Sequence, residues 1–241
     1  MSDHKTYQLS TLKPAILITT LFISTSTLAA ELNYQDQTKL HDIAADVSAT
    51  RIGSDIQTLV DFGTRHTLSE TKSNTRGIGA ARRWIKAEFE KISQQCGGCL
   101  EVIEVKDTIS GEKRIPNPVE VVNIIAIQRS TDQPNRMVMM SGDIDSRVSD
   151  VMDFTSDAPG ANDNASGVAG VIESARVLSK YKFNGSIVYA ALSGEEQGLF
   201  GGKILADYAQ KQGWQVHGVL NNDMIGNITG INGVTDNTTA R

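Results

Sequence analysis

The sequence predicts an α/β fold, a three-layer sandwich with helices on both faces of a mixed, mostly parallel central sheet. Three observations predict it. From Leu100 onward, runs rich in β-branched residues alternate with amphipathic helical stretches. Acidic clusters follow the ends of strand-like runs, the place where open α/β sheets bind ligands. The length of 241 residues suits one large α/β domain better than two small ones.

The elements follow in order. In KLHDIAADVSATRIGSDIQTLVDFG, apolar residues recur at helical spacing and predict one helix or two. TRHTLSETKSNT reads as a polar loop. RGIGAARRWIKAEFEKIS reads as an amphipathic helix, with Ile78, Ala81, Trp84, Ile85, Phe89 and Ile92 on one broad face. LEVIEV and VEVVNIIAIQ read as strands joined by the turn SGEKRIPNP, and RMVMMSG as a short buried strand. ASGVAGVIESARVLSKY is then a helix, GSIVYAALSG a strand, GLFGGKILADYAQKQGW a helix and VHGVLNNDMIG a strand.

Bulk properties narrow the function. Hydrophobic content of 39% and charged content of 21% permit a packed core and argue against global disorder. The net charge of -5 and the lack of a long basic run exclude a nucleic-acid binder. Lys5 and Lys13 precede PAILITTLFISTSTLAA, the layout of a secretory signal peptide over residues 1–30, with cleavage after Ala29 or Ala30. An uncleaved anchor is the alternative, but the apolar run is short and rich in Ser and Thr for a span. The destination is secreted or periplasmic. In QQCGGCLEV, Cys96 and Cys99 are expected to form a structural disulfide in that oxidising compartment; thiol exchange and reduced or metal-bound thiols are the alternatives.

The acidic clusters carry the chemistry. Asp143 and Asp145 stand two apart at a strand end, so alternation puts both on one side. Carboxylates that close repel unless a cation or proton intervenes. Asp163 lies in PGANDNASG, where Pro159 and Gly160 turn the chain just before a helix. Glu195 and Glu196 are adjacent and splay apart, so one can bind a cation while the other faces a water beside it. Asp223 closes NNDMIG. Such a set suits a divalent metal held by oxygens. Blander readings stand beside it. Asp163 fits a helix N-cap, Glu195 and Glu196 first-turn acids, and Asp223 a turn former. Asp150, Asp153 and Asp157 read as solvated loop residues.

Four ordered segments, SGDIDS, APGANDNASGVA, SGEEQGLFGG and NNDMIG, lie within residues 137–226. They resemble the metal-site segments of the two-zinc aminopeptidases of the aminopeptidase Y and bacterial leucyl aminopeptidase type, metallopeptidase family M28. RGIGAARRWIKAEFEKI is similar to that family as well. The resemblance implies a zinc-exopeptidase-like domain over residues 31–241, with a helical part at 35–95 and the metal-site core at 137–226. It implies two divalent ions, zinc with manganese as the alternative. Asp163 would bridge them, Asp223 would bind the first and Glu196 the second. Glu195 would be the general base and Asp145 the acid behind the first ligand. The implied activity is that of an exported exopeptidase cleaving N-terminal peptide bonds, acting on peptides, without nucleic acid or stable membrane insertion after signal cleavage.

Two departures matter. Asp143 stands where the family has His, which adds negative charge and tilts the first site toward harder ions. Arg147 is a candidate to offset that charge. The family's last His ligand, downstream of Asp223, has no counterpart among His4, His41, His66 and His217. The resemblance therefore implies a domain incomplete at its C-terminus that holds at most one ion tightly. The alternatives are a non-catalytic binding protein that keeps the fold and a glutaminyl-cyclase-like transferase using one zinc. Side-chain preference, oligomeric state, and the choice between aminopeptidase, carboxypeptidase and dipeptidase stay open.

Overall fold

The computed structural model describes residues 34–230 and 232–235, so the signal-peptide segment lies outside the described residues. Three helices lead: α1 (Tyr34–Ala45), α2 (Ala49–Asp61) and α3 (Gly77–Gln95). They are followed by β1 (Leu100–Ile109), β2 (Val119–Gln128), β3 (Gln133–Asp143), α4 (Gly167–Leu178), β4 (Gly185–Leu192), α5 (Phe200–Lys211) and β5 (Gln215–Asn221). The sheet order is β1-β2-β4-β3-β5. β1 and β2 form an antiparallel hairpin, β2 is antiparallel to β4, and β3 lies parallel between β4 and β5. The sheet is thus mixed, and its parallel part is the half whose strand ends carry the acidic residues.

The layers follow from period-two alternation. Val122, Ile124 and Ala126 of β2, with Tyr189 and Ala191 of β4, face α2, α3 and α4. Val121, Ile125 and Ile127, with Val188, Ala190 and Leu192, face α5. The predicted face of α3 is the buried one: Ile78, Ala81, Ile85, Phe89 and Ile92 are buried, and Trp84 packs half-buried against them. α3 ends at Cys96, where Cys96 and Cys99 are bonded with Cα atoms 5.5 Å apart. Gly97 and Gly98 between them take φ of 76° and 85°, a region that L side chains avoid.

An ionic clamp joins the helices on one face. Glu173 of α4, 2% exposed, accepts the Ser48 N–H at 2.8 Å, Arg51 Nε at 2.9 Å and Arg51 Nη2. Arg176, one turn on, reaches Glu88 of α3 at 2.7 Å and pairs with Asp55 of α2. At the sheet's far side β5 pairs with β3 and is exposed along its whole length, Val219 at 55% and Leu220 at 59%. Among the described residues no helix is long and apolar enough to cross a membrane.

Candidate active site

Parallel pairing aligns three strand ends. Asp143 lies opposite Leu192, and Ser141 opposite Asn221. The residues that follow β3, β4 and β5 therefore emerge on one side of the sheet, which brings Asp143, Asp145, Glu195, Glu196 and Asp223 together. The loop before α4 adds Asp163. Close backbone packing makes this possible. A Cβ on Gly142 would lie 2.6 Å from the carbonyl carbon of Gly167, and one on Gly167 would lie 2.1 Å from the Asn222 oxygen. Only glycines let the start of α4 sit this close to the ends of β3 and β5. Asn164, 1% exposed, stitches the same segments. Its Nδ2 donates to Asn222 O at 2.9 Å and to Asp143 Oδ2 at 3.3 Å, and its Oδ1 accepts the Gly167 and Met224 N–H groups.

Asp145 is buried and organises the glutamate pair. It accepts the Thr67 hydroxyl at 2.9 Å, the Glu195 N–H at 3.2 Å and the Glu196 N–H at 3.1 Å. Glu195 and Glu196 lie in a loop ahead of α5, which starts at Phe200, so the reading as first-turn acids does not hold. Nor does the N-cap reading of Asp163: its φ and ψ are −108° and 97° inside a broken turn, Ala161–Ser166, and the residue flanking α4 is Ser166. Asp143 is buried, Glu195 and Glu196 are half-buried, and Asp163 and Asp223 are exposed. Arg147 donates to Glu196, so it offsets charge there and not at Asp143 as expected. Asp150, Asp153 and Asp157 stand apart: the first two cap local turns and Asp157 pairs with Arg76 at 2.6 Å.

The electrostatics are those of a crowded anionic cluster. Burial first, then the charges of Asp145, Glu195 and Asp223, push Asp143 up to about 7. Burial first, then Asp145, Glu196, Asp223 and Asp163, push Glu195 up to about 7. Asp223 is raised by burial and by Asp163. Burial raises Glu196 as well, against the pull of Arg147. A cleft of about 500 Å³ opens here, lined by Asp143, Glu195, Asp223, Leu192, Leu199 and Lys203. The donor chemistry fits a divalent cation with oxygen ligands: clustered carboxylates whose mutual repulsion a cation would relieve. Among the described residues, however, no three His, Cys, Asp or Glu side chains stand close enough to hold an ion as placed. Glu196 is turned toward Arg147, so closure needs side-chain movement.

The segment Gly63–Thr67 is the main thing that sequence reasoning missed. Read as part of a polar loop, its Arg65, His66 and Thr67 are all buried. His66 Nδ1 accepts the Leu68 N–H, which leaves Nε2 to donate to Val151 O at 3.1 Å. This histidine braces the wall of the site. His41 is exposed on α1 and His217 is exposed on β5. Polarity normally marks exposure, so residue types alone held no signal for this burial.

Residues 123–239 match Peptidase family M28. Over that stretch the chain is similar to a Peptidase family M28 domain. The chain is 44% identical over 203 residues to a protein of Leptosphaeria maculans named a probable zinc metalloprotease, covering 84% of this chain and 47% of that one. It is similar in fold to the LapA aminopeptidase of Legionella pneumophila, with a TM-score of 0.61 at 19% identity over 79% of this chain and 46% of that one. It is also similar in fold to the glutaminyl cyclase of Fimbriiglobus ruber, with a TM-score of 0.59 at 18% identity over 73% of this chain and 61% of that one. The chain spans about half the length of the curated relatives it matches.

Proposed function

We propose that this chain carries the metal-binding core of an exported exopeptidase that hydrolyses N-terminal peptide bonds. The observation that carries the reading is the convergence of Asp143, Glu195 and Asp223 on one cleft at the aligned ends of β3, β4 and β5. A half-buried carboxylate beside candidate cation ligands is placed as a general base must be. In this reading Asp143, Asp163 and Asp223 would hold a divalent cation, zinc or manganese, and Glu196 would help to hold a second. A cation bound there supplies a Lewis acid that polarises a carbonyl oxygen and acidifies water. Glu195 takes the proton of the attacking water and passes it to the leaving amine. Asp145 fixes the backbone of Glu195 and Glu196 so that the two side chains diverge, one toward the proton and one toward the cation. Leu192 and Leu199 supply apolar lining beside them.

A second reading is supported by the likeness in fold to a glutaminyl cyclase. Incubation with leucyl-nitroanilide and with N-terminal glutaminyl peptides separates the two. Nitroanilide hydrolysis that depends on added Zn²⁺ or Mn²⁺ and stops with chelator is expected. Cyclisation of the glutaminyl peptides without hydrolysis would overturn the exopeptidase reading. Export is tested by mass: mature protein beginning near Ala30 or Glu31, with Cys96 and Cys99 oxidised, is expected. An intact N-terminus with two free thiols, in protein found only inside the cell, counts against it.

A further inference from the structure

We propose that Arg65 is a positioning residue for the metal site. Its guanidinium sets the spacing between the strand end that carries Asp143 and the loop that carries Asp163, so that these two carboxylates can close on one cation. The inference rests on the reading of those carboxylates as cation ligands.

Arg65 is fully buried. Among the described residues it makes no ion pair, and its side-chain hydrogen bonds run to backbone carbonyls. Nε donates to Ile144 O at 2.8 Å, between Asp143 and Asp145. Nη1 donates to Leu59 O at 2.9 Å near the end of α2 and to Pro159 O at 2.7 Å. Nη2 donates to Gly160 O at 2.9 Å. The Gly160 carbonyl also accepts the Ala165 N–H at 3.0 Å, so the same oxygen closes the turn that contains Asp163. A Cβ on Gly160 would lie 2.3 Å from the Asp163 carbonyl oxygen, which shows how tightly the two backbones pack. A companion link runs alongside: Ser146 Oγ accepts the Arg65 N–H at 3.2 Å and donates to Ala158 O at 2.6 Å.

The choice of residue is costly unless the charge and the planar fork both matter. Burying a cation without a paired anion is expensive, and burial pushes Arg65 down to about 10 although the charges of Asp145 and Asp163 oppose that shift. Only a rigid planar fork reaches diverging carbonyls on three segments at once, and a lysine ammonium, a point donor on a flexible stem, does not.

The test uses the whole chain, stripped of metal, and titrates Mn²⁺ or Zn²⁺ by calorimetry well below the thermal midpoint. Near-UV circular dichroism and Tm are recorded alongside. For the unsubstituted chain, binding of the ion is expected. For Arg65→Lys and Arg65→Met, at least about tenfold weaker binding is expected with near-UV signals retained, equivalent to about 1.4 kcal/mol. A merely structural residue would move Tm and leave the affinity of the folded protein alone. A folded Arg65→Lys of unchanged affinity therefore overturns the proposal whatever its Tm. If neither variant folds, Arg65→Gln decides: it keeps a planar donor but shortens its reach to the carbonyls of Ile144, Pro159 and Gly160. Weakened binding supports the proposal, and unchanged binding overturns it. An unsubstituted chain that binds neither ion overturns the metal reading and this inference together, whereas equal binding by all forms overturns the inference alone.

Discussion

Glu195→Gln is expected to lower kcat on an N-terminal peptide-bond substrate by about 10²–10⁴-fold, the range that a positioned general base contributes. Bound metal should change little. Glutamine keeps the shape of the side chain but cannot take up a proton. The loop should also stay in place, because the Glu195 N–H is held by Asp145 through the main chain, which the substitution does not touch. Asp163→Asn is the contrast, since it weakens a carboxylate assigned to the cation and should release metal as well as activity. Elemental analysis of metal per chain, measured beside leucyl-nitroanilide hydrolysis, distinguishes the two. A Glu195→Gln protein that keeps most of its kcat would remove Glu195 from the role of base.

Glu173→Ala is expected to destabilise the fold by about 1–3 kcal/mol, the scale of losing charged hydrogen bonds from a half-exposed arginine and a main-chain N–H. The carboxylate is 2% exposed and accepts from Ser48 and Arg51 at the start of α2, with Arg176 nearby on its own helix. Its loss leaves Arg176 to Asp55 and Glu88 and strips the first turn of α2 of its tertiary anchor. The pH dependence has a definite sign. Burial pushes Glu173 up, but the hydrogen bonds from Arg51 and Ser48 outweigh it and hold the group below its ordinary value. The stabilisation is thus present above the unfolded-state pKa, about 4.3. It is lost as pH falls through the lower folded-state value. Asp55, raised by burial despite Arg176, is raised in part by the Glu173 charge as well, so the substitution relieves it. Urea denaturation of both proteins at neutral pH and in acid checks the prediction. A difference below about 1 kcal/mol at neutral pH, the scale of an exposed pair, would mean that the clamp is not needed.

Most of the fold was legible because its elements obey simple periodicities. The apolar face of α3 repeats at helical spacing, and β2 and β4 are apolar on both faces as inner strands of a two-sided sheet must be. The convergence of Asp143, Glu195 and Asp223 was legible for a related reason: parallel strands bring their ends to one side. What was not legible came from contacts with no period. Asn164 joins three segments through both ends of one amide. Arg65 is a charged residue in a run of polar ones, and its burial follows from carbonyls distant in sequence. The antiparallel hairpin of β1 and β2 was readable as two strands with a turn, but nothing local places β2 beside β4 rather than β3.

The reach of Arg65 along the chain bears on the order of assembly. Its partners Ile144, Pro159 and Gly160 lie 79, 94 and 95 residues away. Closing loops of that size costs chain entropy before any bond repays it. The closures become affordable only after β3 has docked beside β4, which itself waits for α4 to cross over. Local hairpin formation by β1 and β2 can precede all of this. The strand ends that carry the carboxylates are therefore expected to acquire their shape late in folding.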